Sequence, residues 1–272
     1  MENHFKEIAS SIKAKQAILF VGAGVSATLG LFTFHSLLDE VAKQLGYEPD
    51  IFREYAEPRT LAEFYLIKKG TLGELRSYLD KKWHDESKID IANSEIHKLI
   101  VNLDFPIIYT TNWDYWIEKA YEYHGKSYHK IAGVTDLAKE ESGATKIIKF
   151  HGDFTDDESI VFTESKYLER LSLDTPLDIR LKSDLIGKTV LFIGYSLQDP
   201  NIRFVLHWAN KMWSNVEPRE ARPKSFVFFD KPNPIEECVL KEWGVYSLVS
   251  QFDDPAKGLI DFLSKLNSEL KA

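Results

Sequence analysis

A histidine followed by a glycine, in His151-Gly152-Asp153, gives acid–base chemistry a setting in this sequence. An imidazole titrates near neutrality and can take a proton from a hydroxyl or from water. Here it stands directly behind an apolar run at 146–150, where a strand would end. His84, His97, His124, His129 and His207 fall in helix-like or polar stretches and read as structural or solvated groups. A second set, Thr110-Thr111-Asn112-Trp113-Asp114, follows another apolar run. Asparagine can bond a sugar hydroxyl or hold a water, and a nearby carboxylate can support developing positive charge. The same residues also have a mechanical reading, with Thr111 or Asn112 capping a helix that begins near Trp113 and Asp114 favouring its dipole. The two roles are compatible.

Two further turns carry small residues. Gly22-Ala23-Gly24-Val25-Ser26, with Gly30 shortly after, lies behind the apolar run Ala17–Val21. Glycines there permit close approach of backbone to a pyrophosphate, and a following helix N-terminus favours the anion. The hydride-transfer fingerprint GxGxxG fits poorly, because its third glycine is Ala27 and the nearest carboxylates, Asp39 and Glu40, lie in helix-patterned sequence. The fourth turn, Gly194-Tyr195-Ser196, offers small and hydroxylated contacts to an adenosine ribose, and Asp199-Pro200 beyond it reads as a cap and first turn of a helix.

The elements that must position these turns are short apolar runs without alternation, the mark of strands buried on both faces. They fall at Ala17–Val21, 106–110, 146–150, Thr189–Ile193, Ser225–Phe229 and Val245–Val249. Helix-period segments follow at 113–123, 201–212 and 234–243, which predicts an α/β fold, a Rossmann-like doubly wound parallel sheet. In such a sheet the carboxyl ends of the strands surround one crevice, so four strand-end motifs support one another. A helix opens the chain, with Phe5, Ile8, Ala9 and Ile12 on one face, and another closes it at 255–270. From Phe34 to Asn102 only helical periodicity appears, which reads as a helical insertion into a single domain spanning 1–272.

Composition removes several alternatives. The 272 residues are 44% hydrophobic and 28% charged, the profile of a globular protein with a core. No apolar run approaches the roughly 20 residues of a membrane span. The N-terminus, with Glu2, His4, Lys6 and Glu7, lacks a signal peptide's apolar stretch, so a cytoplasmic protein is expected. A net charge of -8 without a dense Lys/Arg stripe disfavours direct nucleic-acid binding. The single cysteine, Cys238, excludes an internal disulfide and a zinc site built from several cysteines of one chain.

Taken together, the order and spacing of the motifs resemble the sirtuin superfamily, in its bacterial sirtuin-like group without a zinc ribbon. Gly22 to Ser26 with Gly30 and Phe34 resembles the family's glycine-rich signature, Thr110 to Asp114 its TQN-x-D motif, His151-Gly152 its catalytic histidine step and Gly194 to Ser196 its later nucleotide-binding turn. The likeness runs from about Gln16 to Leu248 and includes closing strands around the adenine. Departures are equally visible. No cysteine occurs between 151 and 193, where deacylating relatives carry a zinc module, and Thr33, His35 and Thr111 replace the usual aspartate, arginine and glutamine.

The resemblance implies an NAD pocket with water as acceptor and no metal. Asn112, Asp114 and His151 would be the catalytic residues, and Gly22, Ala23, Gly24, Ser26, Phe34, Thr111, Gly194 and Ser196 would contact NAD. The implied activity is NAD+ hydrolysis to nicotinamide and ADP-ribose by an NADase of the antiphage-defence kind, which depletes NAD in infected cells. Such an enzyme needs gating by a homo-oligomer or a partner protein, for which the helical segment and the helix bearing Trp208 and Trp213 offer surfaces. The residues alone leave open an NAD- or ADP-ribose-sensing module, a protein deacylase and an ADP-ribosyltransferase.

Overall fold

The structure is a computed structural model and describes residues 2–31, 33–139, 143–217 and 222–272, without the side chains of Glu2 and His35. His35, one of the departures noted above, therefore has a described backbone only.

Seven strands form one sheet in the order β3-β4-β2-β1-β5-β6-β7, and every pairing is parallel. They are β1 (Ala17–Val21), β2 (Ile107–Thr110), β3 (Tyr128–Ile131), β4 (Thr145–Lys149), β5 (Thr189–Ile193), β6 (Ser225–Phe229) and β7 (Val245–Val249). The expected α/β class and doubly wound parallel sheet are present. β1 is central: the chain winds outward to β2, β4 and β3, then returns past β1 to β5, β6 and β7. That reversal opens a crevice at the strands' carboxyl ends.

Both faces of the sheet are covered, which explains the unbroken apolar runs. Alternate β1 residues serve opposite cores, Leu19 and Val21 on one face and Ile18 and Phe20 on the other. The first core is closed by α1 (Glu2–Lys13), α7 (Glu95–Leu103), α8 (Trp116–Tyr123) and α14 (Pro255–Lys271), whose Ile8, Ile100, Ile117 and Leu263 pack together. The second is closed by α11 (Pro176–Gly187), α12 (Pro200–Trp213) and α13 (Pro234–Glu242) through Leu181, Val205 and Leu240. Trp208 packs partly into this second core, and Trp213 Nε1 donates to the Ile186 carbonyl at 3.2 Å. Both tryptophans are half-buried.

The helix-patterned segment contains α3 (Phe34–Leu45), α4 (Pro49–Glu54), α5 (Pro58–Lys69) and α6 (Gly73–Trp83) before α7. The first four build a cluster of their own around Phe52, Tyr65 and Trp83, whereas α7 lies against the sheet. The cluster reaches the strand ends through Trp116, whose indole N–H donates to the Trp83 carbonyl at 2.8 Å. The helical layer thereby overhangs the crevice.

Candidate active site

At the crevice lies a cavity of about 920 Å³ bounded by all four strand-end motifs, the loop after β6 and the starts of α3 and α5. The turn after β1 enters α2 (Ala23–Ala27), a helix of only five residues. Ala23 and Gly24 line the cavity, whereas Gly22 lies behind them. The glycines have a mechanical task. A Cβ on Gly22 would lie 2.4 Å from the Gly194 carbonyl oxygen, and one on Gly24 2.9 Å from Gly194 Cα. Gly194 has φ +58, and a Cβ there would lie 2.6 Å from the Val25 nitrogen. The turns after β1 and β5 are therefore in backbone contact, which only glycine permits. Gly24 N–H donates to the Gly194 carbonyl at 2.9 Å, so that amide is engaged within the protein.

Asn112, 6% exposed, is fixed by a network that also fixes which way its carboxamide points. Its Nδ2 donates to the Gly22 carbonyl at 3.1 Å and to Ser26 Oγ at 2.8 Å. Ser26 Oγ donates to Asp114 Oδ2 at 2.8 Å, and Asp114 Oδ1 accepts from Trp116 N–H at 3.1 Å. A main-chain carbonyl only accepts, so the group facing Gly22 must be the amide nitrogen. Asn112 Oδ1 is left buried with no partner among the described residues, on a side chain that lines the cavity. Neither Thr111 nor Asn112 caps α8. That helix starts three residues later than the sequence pattern suggests, because the Asp114 carboxylate takes up the Trp116 N–H. Both oxygens of Asp114 are thus engaged, which makes it a brace for Ser26 and the loop.

His151 is 2% exposed and faces the cavity from the end of β4. Its Nε2 lies 3.2 Å from Asp199 Oδ2, at hydrogen-bond distance but off hydrogen-bond alignment. Asp199 Oδ1 meanwhile caps α12, accepting from Asn201 N–H at 2.8 Å and Ile202 N–H at 3.3 Å. Burial pushes the imidazole down to about 4, against the opposing pull of Asp199 and with help from Arg170. The group is therefore neutral at physiological pH and able to accept a proton. Tyr167 meets it edge-on at 5.3 Å between ring centroids. Gly152, at φ +94, turns the chain where a Cβ would lie 2.3 Å from the Ser159 carbonyl oxygen.

The remaining expected contacts, Phe34, Thr111, Gly194 and Ser196, all line the cavity, and Phe34 also packs edge-on against Phe162. Three features escaped the sequence reading, while the loop after β6 falls within the stretch 226–248 expected to surround the adenine. Asp199 was legible only as a cap, because β4 and β5 stand three strand spacings apart, about 14 Å, and only their loops meet. Tyr167 and Arg59 arrive from α10 (Glu164–Glu169) and α5 with no motif to mark them. Lys149 and Glu118 form an enclosed ion pair beneath the loop, 3.3 Å apart, where burial pushes the Glu118 carboxyl up against the pull of the lysine. Phe228 to Asn233, after β6, complete the rim. Among the described residues no three His, Cys, Asp or Glu side chains converge as a metal-holding group.

The chain is 31% identical over 204 residues to the NAD(+) hydrolase ThsA of Enterococcus faecium, spanning 74% of this chain and 41% of that protein. It is 32% identical over 202 residues to ThsA of Cytobacillus dafuensis, spanning 74% and 39% respectively. Against defense-associated sirtuin 2 of Bacillus subtilis it is 30% identical over 241 residues, spanning 86% of this chain and 23% of that one. The chain thus spans about two fifths of the length of the curated hydrolases it matches. A solved structure described as a Sir2 homologue–NAD complex shares the fold with a TM-score of 0.53 at 14% identity, covering 99% of this chain and 95% of that one. Residues 106–248, from the start of the Asn112 strand to β7, match the family of SIR2-like domains, and the chain belongs to that family.

Proposed function

We propose that this chain hydrolyses NAD+ at the nicotinamide–ribose bond, releasing nicotinamide, ADP-ribose and a proton. The observation that carries the reading is the pairing, on one cavity, of a locked carboxamide whose Oδ1 has no partner among the described residues with an enclosed histidine kept neutral. Rupture of that bond leaves neutral nicotinamide and an oxocarbenium-like sugar, so the protein must orient the ribose, support positive charge and deliver water. Asn112 Oδ1 accepts from a ribose hydroxyl or from the attacking water. His151 takes the proton, and Asp114 holds Ser26 and Asn112 in place while adding negative charge nearby. Ala23, Ser196 and Gly194 face the nucleotide from the turns after β1 and β5, and Thr111 and Phe34 face it from the loop after β2 and the start of α3. Relatives named NAD(+) hydrolase and a neighbour described as holding NAD support the substrate.

The same reading places the protein in the cytoplasm as an antiphage effector that depletes NAD and halts the infected cell, held silent until infection by self-assembly or by a partner. A relative named as a defense-associated sirtuin supports the defensive role. No described helix is long and apolar enough to cross a membrane.

Product analysis tests the activity. The wild-type protein, alone and with lysate of phage-infected cells, is given NAD and compared with Asn112→Ala and His151→Ala. The expected result is nicotinamide and ADP-ribose from the wild type in at least one condition, reduced at least about 100-fold in both variants. Tight NAD binding without cleavage in either condition would replace the hydrolase with a sensor.

A further inference from the structure

Lys149 closes β4, and none of its side chain is exposed. It shares a sheet face with Ile147, packed beneath α8, where an apolar residue would ordinarily stand. Its Nζ lies 3.3 Å from Glu118 Oε1 and donates to the main-chain carbonyl of Asp114. Among the described residues neither oxygen of Glu118 has a hydrogen bond of its own. Burying such a pair is costly, and an apolar side chain of similar volume commonly packs as well or better. What an apolar side chain cannot do is donate to the Asp114 carbonyl.

That carbonyl belongs to the loop that carries Asn112. Thr110 and Lys149 are register partners, so the two chains leave the sheet side by side. With its main chain held by Lys149, Asp114 presents its carboxylate to Ser26, and Ser26 accepts from Asn112. His151 follows Lys149 by two residues. One ammonium thus ties the Asn112 loop to the strand that delivers His151. Neither Lys149 nor Glu118 lines the cavity.

We propose that Lys149 is a positioning residue for the cleavage described above, setting Asn112 against His151 through the Asp114 carbonyl, with Glu118 as its counter-charge. The inference rests on the hydrolase reading for its reaction and on the loop geometry for its structural claim. The test uses the full chain as Lys149→Met, as Lys149→Met with Glu118→Gln, and as Glu118→Gln alone. In the double variant the packing is kept and no unpaired carboxylate remains, so it folds even if the single lysine variant does not.

The lysine variants are expected to lose about 10- to 100-fold in kcat with KM for NAD within about threefold. Amide exchange across 111–116 should quicken, with the Trp116 amide foremost. Glu118→Gln alone leaves the buried ammonium on Asp114 without its counter-charge, and its kcat is expected to fall between that of the wild type and those of the lysine variants. A folded double variant with wild-type kcat and wild-type exchange overturns the proposal. If the wild type releases no nicotinamide, the hydrolase reading fails. Exchange at 111–116 and affinity for ADP-ribose then still decide whether the lysine holds the loop.

Discussion

Asp199→Asn removes one negative charge from beside His151 while keeping the shape of the side chain and, because asparagine caps helices as well as aspartate does, the start of α12. The two groups are 3.2 Å apart, with side chains 3% and 10% exposed, so solvent screens them little. At an effective dielectric constant of 20, a unit charge on each would attract by about 5 kcal/mol. If the proton is about half transferred to the imidazole in the transition state, Asp199 supplies about 2.5 kcal/mol, or roughly a 70-fold effect on rate. The expected outcome is a fall in kcat of this order with little change in KM for NAD, read from nicotinamide release.

The pH profile gives the same argument a second reading. Burial against the pull of Asp199 holds His151 at about 4, so the acid limb of kcat/KM should fall near pH 4 instead of near 6.5, and lower still in the asparagine variant. Arg170 and Asp178 are the other charges acting on the ring and are unchanged by the substitution. A correctly folded Asp199→Asn protein with wild-type kcat, or an acid limb at 6.5 in both proteins, would refute the reasoning.

The interlocked turns and the buried histidines give two further tests. Gly194→Ala must accept φ +58 and place a Cβ 2.6 Å from the Val25 nitrogen, at a cost of about 2–4 kcal/mol. Calorimetry should show melting lowered by roughly 3–7 °C. Gly30→Ala, at φ +83 with nothing within 4 Å, carries the backbone strain alone and should lose only about 1 kcal/mol. His97 and His151 both drop from 6.5 to about 4 on folding, chiefly through burial. Above pH 6.5 both are neutral in either state. Between 6.5 and 4 the unfolded chain takes up protons that the folded one refuses, so stability declines across that window by about 3 kcal/mol per histidine. Urea midpoints at pH 7, 5.5 and 4.5 should follow this decline, and His97→Gln should remove about half of it; an unchanged pH dependence in that variant would contradict the assignment.

The sheet was legible wherever both faces of a strand are covered, because double burial writes an unbroken apolar run. β1, β5, β6 and β7 match their expected limits, β2 begins one residue later than expected and β4 is shifted by one residue. β3 was missed for the complementary reason. It is an edge strand, Tyr128-His-Lys-Ile131, paired only to β4 and half-exposed at three of its four residues, so it carries the polar residues of an ordinary surface turn. The late start of α8 was not legible either, since it depends on an aspartate choosing the Trp116 amide over a cap at its own N-terminal side. Strand ends could be read as site-bearing from topology alone, and the motifs at 22–26, 110–114, 151–153 and 194–196 do share one cavity.

Their tasks within that cavity are divided more unevenly than residue types suggest. Gly22, Gly24 and Gly194 are needed for two turns to touch, before any nucleotide is considered. Ser26 and Asp114 spend their hydrogen bonds on each other and on Asn112. Among the described residues Asn112 Oδ1, the Tyr195 hydroxyl and a neutral His151 remain on this cavity without hydrogen-bond partners, the histidine with a carboxylate beside it. Because Ser26, Asp114 and the Gly22 carbonyl lock the carboxamide, Asn112 Oδ1 is held in one orientation before any ligand arrives, which is the preorganisation that a positioned reaction needs.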